Sequence, residues 1–185
     1  QIASCQLTNG NVNLLFGTNG TVVNNTIVNG RITLDRVDHA IVTSNGVSGA
    51  DDRSVMEAYE VISFGDALVF ERNVLHDWVS SPQPGISAAA VRIGFDPSSP
   101  GTGLSFQNNT FRNIDAANVV SLSFPRSFTD TDVSYNTFEG DLVMVPGEMA
   151  MSIISWPDDS RSGIRCTMRR NLYTGNLVRP NTFFV

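Results

Sequence analysis

The fold is decided by a short stretch that recurs along the chain, and its clearest copy is Leu104-Ser-Phe-Gln-Asn-Asn-Thr-Phe111. In this copy Leu104, Phe106 and Phe111 alternate with polar residues, and Asn109 stands between the two apolar groups. Alternation with a period of two places successive side chains on opposite faces of a strand. The stretch therefore predicts two short strands that meet at an asparagine.

The pattern apolar-x-x-Asn-x-apolar occurs six times in the chain. Its asparagines are Asn25, Asn45, Asn73, Asn109, Asn136 and Asn171, separated by 20, 28, 36, 27 and 35 residues. A Gly, Asn or Asp turn former follows each copy, at Gly30, Gly49, Asp77, Asn113, Gly140 and Gly175. A repeat of this kind predicts a coil of strands in which each turn stacks on the last. With turns ~4.8 Å apart, the asparagine amides can form a ladder that satisfies buried polar groups.

These units resemble the right-handed parallel β-helix of the pectin-lyase-like type. The resemblance rests on Asn109-Thr-Phe111 and Asn136-Thr-Phe138, and it covers about Val22 to the C-terminus. It implies an all-β fold, a right-handed parallel β-helix (solenoid) of about six to seven turns with inserted loops. Because the chain starts at Gln1 and not at Met, we expect residues 1–185 to be a single β-helix domain from a longer or processed protein. A β-sandwich with Asn-rich turns is the alternative architecture.

The unequal spacings predict four inserts between the units, at residues 50–62, 80–103, 118–131 and 145–163. The first contains the one helical candidate, residues 52–60, where Asp52 could cap a helix of two turns. Insertions on one face of a solenoid commonly mark its binding face. We therefore expect the binding face to lie on the strands that the inserts follow.

The composition excludes several classes of function. The net charge is −6 and all 12 basic residues are Arg, so the chain lacks the basic stripe of a nucleic-acid-binding protein. The longest apolar stretches, such as residues 149–156, fall short of the ~20 residues of a membrane-spanning helix. The two Cys and two His show no zinc-binding spacing. We therefore predict no nucleic acid, no membrane, no metal and no cofactor.

Aligning the units on their asparagines predicts a row of functional side chains. The position three residues after the asparagine is His76, Arg112 and Glu139 in three consecutive units. The alternation places this row on the outside of the coil, with neighbours ~5 Å apart. A base, a cation and a carboxylate in one row could bind an acidic sugar or perform general acid–base chemistry on it. These three are the predicted catalytic residues, and a surface ion-pair ladder is the alternative.

Residues beside the row are the predicted substrate-binding residues. They are Asp77, Trp78, Asp115 and Asp141, which follow the row, and Trp156, which lies in the last insert. Trp78 could stack on a sugar ring or pack beneath an insert. The pairs Asp51-Asp52 and Asp158-Asp159 lack the flanking residues of β-helix glycosidases and are interpreted as solvated turns.

The sequence leaves two functions open. The first is a carbohydrate-engaging β-helix that binds or cleaves an acidic polysaccharide, as a polysaccharide lyase or a glycoside hydrolase if it is an enzyme. The second is a structural or adhesive β-helix of a cell-surface or virion protein, such as a phage tailspike, without catalysis. Both predict an extracellular, cell-surface or virion location. A homotrimer or further domains would cover the ends of the coil, since solenoids need caps.

Overall fold

The computed structural model describes residues 1–50, 57–64, 66–80, 89–95, 101–124, 128–143, 151–155 and 164–177. Within these ranges the chain forms β-strands and no α-helix, and no helix long and apolar enough to cross a membrane is found there. Every strand pairing among these residues is parallel, and the strands of successive turns form three sheets. The predicted right-handed parallel β-helix is confirmed, and the β-sandwich is excluded.

The three sheets run the length of the coil. The first sheet contains β1 (Ile2–Ala3), β4 (Thr21–Val23), β7 (Ala40–Thr43), β10 (Asp66–Glu71), β13 (Gly101–Gln107), β16 (Phe128–Ser134) and β19 (Ile164–Arg169). The second contains β2 (Gln6–Thr8), β5 (Thr26–Val28), β8 (Gly46–Ala50), β11 (Val74–Val79), β14 (Thr110–Asp115), β17 (Thr137–Val143), β20 (Leu172–Tyr173) and β21 (Asn176–Leu177). The third contains β3 (Val12–Thr18), β6 (Ile32–Asp38), β9 (Tyr59–Phe64), β12 (Ala89–Phe95), β15 (Asn118–Phe124) and β18 (Met151–Ser155).

The six repeated asparagines lie in a single file between the first and second sheets. Asn109 shows the pattern: its Nδ2 donates to Asn136 Oδ1 at 2.9 Å and to the Phe70 carbonyl at 3.0 Å. Its Oδ1 accepts from the backbone N–H and the Nδ2 of Asn73, at 3.0 and 3.2 Å. The same bonds link each asparagine to the next from Asn25 to Asn171. The predicted ladder is confirmed.

The ladder begins one turn earlier than the pattern predicts. Cys5 occupies the equivalent position of the first turn, and its backbone N–H donates to Asn25 Oδ1 at 3.0 Å. Ile2 pairs in register with Val22, which places the first turn directly on the second. The sequence pattern missed this turn because its ladder residue is a cysteine.

Aromatic rings stack along the interior of the coil beside the ladder. The Phe70 and Phe106 rings lie 5.1 Å apart at an interplanar angle of 7°, and the Phe111 and Phe138 rings lie 4.9 Å apart. All four side chains are almost completely buried. Their axial stacking follows from the register that the ladder imposes, because the same strand position recurs directly above on the next turn.

The four predicted inserts require correction. The last three contain the third-sheet strands β12, β15 and β18, and the first overlaps β9. Tyr59 and Glu60 belong to β9 and not to the predicted helix over residues 52–60, while residues 51–56, including Asp52, lie outside the described residues. The third sheet escaped prediction because it carries no asparagine marker.

The turn between the first and second sheets uses the left-handed backbone region. The residue before each ladder position has a φ between 53° and 59°. We call this set the corner column, and it consists of Ser4, Asn24, Ser44, Arg72, Asn108, Tyr135 and Arg170. Asn tolerates this conformation better than most L-residues do.

Candidate functional site

The predicted row is brought together on the outer face of the second sheet. His76 of β11 pairs in register with Arg112 of β14, and Arg112 pairs with Glu139 of β17. All three side chains are partly exposed. Arg112 Nη1 lies 3.9 Å from Glu139 Oε1, at the outer limit of an ion pair.

A bulge next to the row adds two more polar side chains to the same face. Asp77 and Asn113 follow row residues and have φ values of 51° and 52°, and the strand pairing shifts after each row position. Because the left-handed residue interrupts the alternation, the row residue and its follower both point outward. At the equivalent Gly140 a Cβ would overlap Asn113 Oδ1, which accounts for glycine at that position.

The bulge allows neighbours in sequence to hydrogen-bond. His76 Nδ1 lies 2.9 Å from Asp77 Oδ2, and Asn113 Nδ2 donates to Asp77 Oδ1 at 2.7 Å. An ionised carboxylate only accepts, so His76 Nδ1 carries the proton in this pair. In a neutral His76, Nε2 is then the ring nitrogen that can accept a hydrogen bond.

The pKa of Asp77 lies below its ordinary value. The Asn113 hydrogen bond is the largest cause, followed by the bond from His76, and the nearby charge of Arg112 acts in the same direction. A carboxyl group with a lowered folded-state pKa contributes stability above its unfolded-state pKa of about 3.9. That contribution is lost as the pH falls through the folded-state pKa.

The hydrogen bond from Asn113 can be tested by titration. We expect Asn113→Ser to raise the pKa of Asp77, because the shorter side chain no longer donates to the carboxylate. Carboxyl-carbon NMR of Asp77 across the acid range measures the shift. Asn108→Ser is the matched control, since Asn108 is an exposed asparagine on the same turn. An unchanged Asp77 titration in Asn113→Ser would contradict the assignment.

Trp78 does not lie where a sugar could stack on it. Its side chain is 0% exposed, and Nε1 donates to Ser80 Oγ at 2.9 Å. Strict alternation from His76 would point Trp78 outward. The bulge at Asp77 inverts the alternation, so Trp78 enters the core, which corrects its assignment as a sugar-stacking residue.

The other predicted substrate-binding residues are distributed along the same sheet. Asp141 is exposed; its backbone N–H donates to Asn113 Oδ1 at 3.2 Å and its carboxylate accepts from Asn176 at 3.2 Å. Asp115 is half-buried at the end of β14, in register with Val79 and Val143. Trp156 lies outside the described residues.

Asn113 is the residue of this face whose role the sequence did not indicate. The repeat identified it only as a turn former, yet it contacts both Asp77 and Asp141. Its position four residues after a ladder asparagine, next to a row residue, was the available signal. In the described part of the chain, no three His, Cys, Asp or Glu side chains converge as metal ligands would.

Comparison with known proteins assigns neither a family nor a function to the chain. No protein-family model, no curated protein and no solved structure matches the chain. The functional conclusion therefore depends on the geometry of the second sheet.

Proposed function

We propose that the outer face of the second sheet binds an acidic polysaccharide, and that the chain is an extracellular, cell-surface or virion β-helix related to the pectin-lyase-like type. The observation that carries the proposal is the row His76, Arg112 and Glu139 on three adjacent strands, extended by the bulge residues Asp77 and Asn113. The parallel sheets and the asparagine ladder support the relationship to that β-helix type.

The chemistry of this face suits a sugar chain. The guanidinium of Arg112 can bind a uronate carboxylate through two parallel hydrogen bonds. The carboxylates and the amide beside it, Asp77, Glu139 and Asn113, can bind sugar hydroxyls as acceptors or donors. Because all of them project from paired strands, binding orders little backbone, and this reduces the entropic cost.

The same face could support proton abstraction. Asp77 orients His76 through Nδ1, so that Nε2 can accept a proton from a bound sugar. Arg112 lies on the next strand, where it can stabilise negative charge that develops on a neighbouring carboxylate. Binding is the function that we propose. If the face also has catalytic activity, elimination is the reaction that these groups would favour.

One observation favours the structural or adhesive alternative. Arg112 and Glu139 already pair with each other, as charged residues on a solenoid surface do without a ligand. The two functions differ in what happens when Glu139 is neutralised. If Arg112 binds a uronate, Glu139 competes with the ligand for the guanidinium.

Binding of a galacturonate hexasaccharide, measured by calorimetry, tests the proposal. We expect Arg112→Gln to weaken binding about tenfold or more, because a charge-assisted hydrogen bond contributes about 1.5 kcal/mol or more. We expect Glu139→Gln to strengthen binding about fivefold, because a competing charge near the guanidinium is removed.

Two controls accompany these variants. Arg36→Gln removes an exposed arginine from the third sheet and should leave the affinity unchanged. A neutral glucose hexasaccharide should bind more weakly than the galacturonate. If Arg112→Gln and Arg36→Gln behave alike, or if the wild type binds neither sugar, the face has no glycan-binding role and the structural alternative stands.

A further inference from the structure

Three residues of the corner column, Arg72, Tyr135 and Arg170, are of types that its backbone conformation does not favour, and Tyr135 and Arg170 lie on adjacent turns. Tyr135 and Arg170 have φ values of 59° and 53°, in the left-handed region where a bulky L-residue is strained. Asn24 and Asn108 occupy the same column with a residue type that suits the region. Strained positions can mark functional sites, and Tyr135 and Arg170 differ from Arg72 in that their side chains contact each other.

Tyr135 and two arginines form a cluster on adjacent turns. The Tyr135 side chain is 38% exposed, and the Cζ atoms of Arg170 and Arg169 lie 5.6 and 6.0 Å from the centroid of its ring. Arg170 Nη1 donates to Tyr135 Oη at 3.3 Å. The cluster therefore combines an aromatic surface with two guanidinium groups.

The two arginines differ in their partners. Arg169 Nη2 lies 3.3 Å from Asp132 Oδ2, so its charge is compensated. None of the ion pairs between described residues includes Arg170. Arg170 is thus an exposed cation whose contact is with a neutral phenol, and it retains donors for an external anion.

The cluster adjoins the proposed binding face. Tyr135 directly precedes the ladder residue Asn136, and Glu139 of the row lies four residues after Tyr135 on the same turn. At a strand rise of ~3.3 Å per residue, the two positions lie at most ~13 Å apart. A sugar chain of several units that contacts the row can also contact the corner, and a disaccharide bound at the row extends less far toward it.

We propose that Tyr135 and Arg170 form a second subsite for the acidic polysaccharide, which rests on the proposed function. The exposed part of the Tyr135 ring contacts the apolar face of one uronate sugar, and Arg170 binds its carboxylate. This subsite supplies the exposed aromatic surface that the buried Trp78 does not. It also explains why a strained tyrosine is kept at a position that suits asparagine.

The variant Tyr135→Asn separates function from fold. We expect the melting temperature to stay within about 3 °C of the wild type, because relief of strain at this φ offsets the lost contacts with Arg169 and Arg170. We also expect the variant to weaken binding of the galacturonate hexasaccharide about tenfold, and to leave binding of the galacturonate disaccharide to the row unchanged. Arg170→Asn should act in the same directions.

Ser44→Asn is the matched control, since Ser44 belongs to the same column on an earlier turn. It should raise stability without changing the affinity for either sugar. If Arg112→Gln weakens hexasaccharide binding and Tyr135→Asn does not, the subsite is overturned and the proposed function stands. If the wild type binds neither galacturonate, both are overturned. A loss of disaccharide binding in Tyr135→Asn equal to the loss of hexasaccharide binding also overturns a separate second subsite.

Discussion

Replacing Asn109 with aspartate is expected to cost about 5 kcal/mol of unfolding free energy at neutral pH, a large share of the 5–15 kcal/mol typical of a domain. The two residues have nearly the same shape, so the change is electrostatic. Aspartate lacks the Nδ2 donors that Asn109 gives to Asn136 Oδ1 and to the Phe70 carbonyl. Asn136 Oδ1 keeps only the bond from the backbone N–H of residue 109, the Phe70 carbonyl loses its bond from the side chain, and a charge is placed at a completely buried position.

The loss should depend on pH. Burial and two facing acceptor oxygens disfavour the ionised form, so the folded-state pKa of the new carboxyl group lies above its unfolded value of about 3.9. A carboxyl group whose pKa is raised in the folded state destabilises the protein least when the pH is below its unfolded-state pKa. The loss of unfolding free energy grows as the pH rises through the folded-state pKa. The stability difference between wild type and variant should therefore narrow on acidification, as measured by urea unfolding at neutral pH and at about pH 4.5.

Asn108→Asp is the control for this change. Asn108 is adjacent, exposed and in the left-handed region, which aspartate also tolerates. Its substitution should change the unfolding free energy by less than about 0.5 kcal/mol. Equal effects of the two aspartates, or a difference independent of pH, would contradict the role of the ladder.

The ladder also explains how far the fold could be predicted from the sequence. Each ladder asparagine donates to the next one, so an asparagine is needed at the same structural position on every turn. Six copies of a short pattern around it therefore reveal that the turns stack. The third sheet has no such marker, because no single polar residue type recurs at one register position on its strands: Asn13, Thr33, Glu60, Arg92 and Ser121 occupy the same one. The pattern therefore predicts inserts where these strands lie. Cys5 was missed for the related reason that only its backbone N–H bonds to the next rung.

The row residues of the site could be predicted from the sequence, but the positions after the bulge could not. The register of the row is set by the repeat, so His76, Arg112 and Glu139 could be aligned without a structure. The positions after the row could not be assigned in this way, because a single left-handed residue reverses the inward and outward assignment of every later position on the strand. Trp78 became a core residue by this reversal. Asp77 is itself the left-handed residue, and its side chain lies on the outer face beside His76, to which it is hydrogen-bonded.

The second large effect is expected in the aromatic stack. Phe106→Ala should cost about 4 kcal/mol, because it removes a completely buried ring and leaves a cavity that the coil cannot close. The ring lies 5.1 Å from Phe70 and 6.1 Å from Phe111, with interplanar angles of 7° in both pairs. The lost stacking adds to the cost of the cavity. Chemical denaturation followed by circular dichroism measures the loss.

Phe16, on the third sheet, provides the matched control for Phe106. Its side chain is 62% exposed and packs against the Arg36 guanidinium at 4.2 Å, a contact that contributes about 0.5–1 kcal/mol. Phe16→Ala should therefore cost less than about 1 kcal/mol. Phe106→Leu, which keeps most of the apolar volume, should fall between the two alanine variants.

The stack also couples neighbouring turns. Because each turn of a solenoid is stabilised by its neighbours, a cavity at Phe106 weakens the turns on both sides. If Phe106→Ala were as stable as Phe16→Ala, the aromatic stack would not contribute to this coupling between turns.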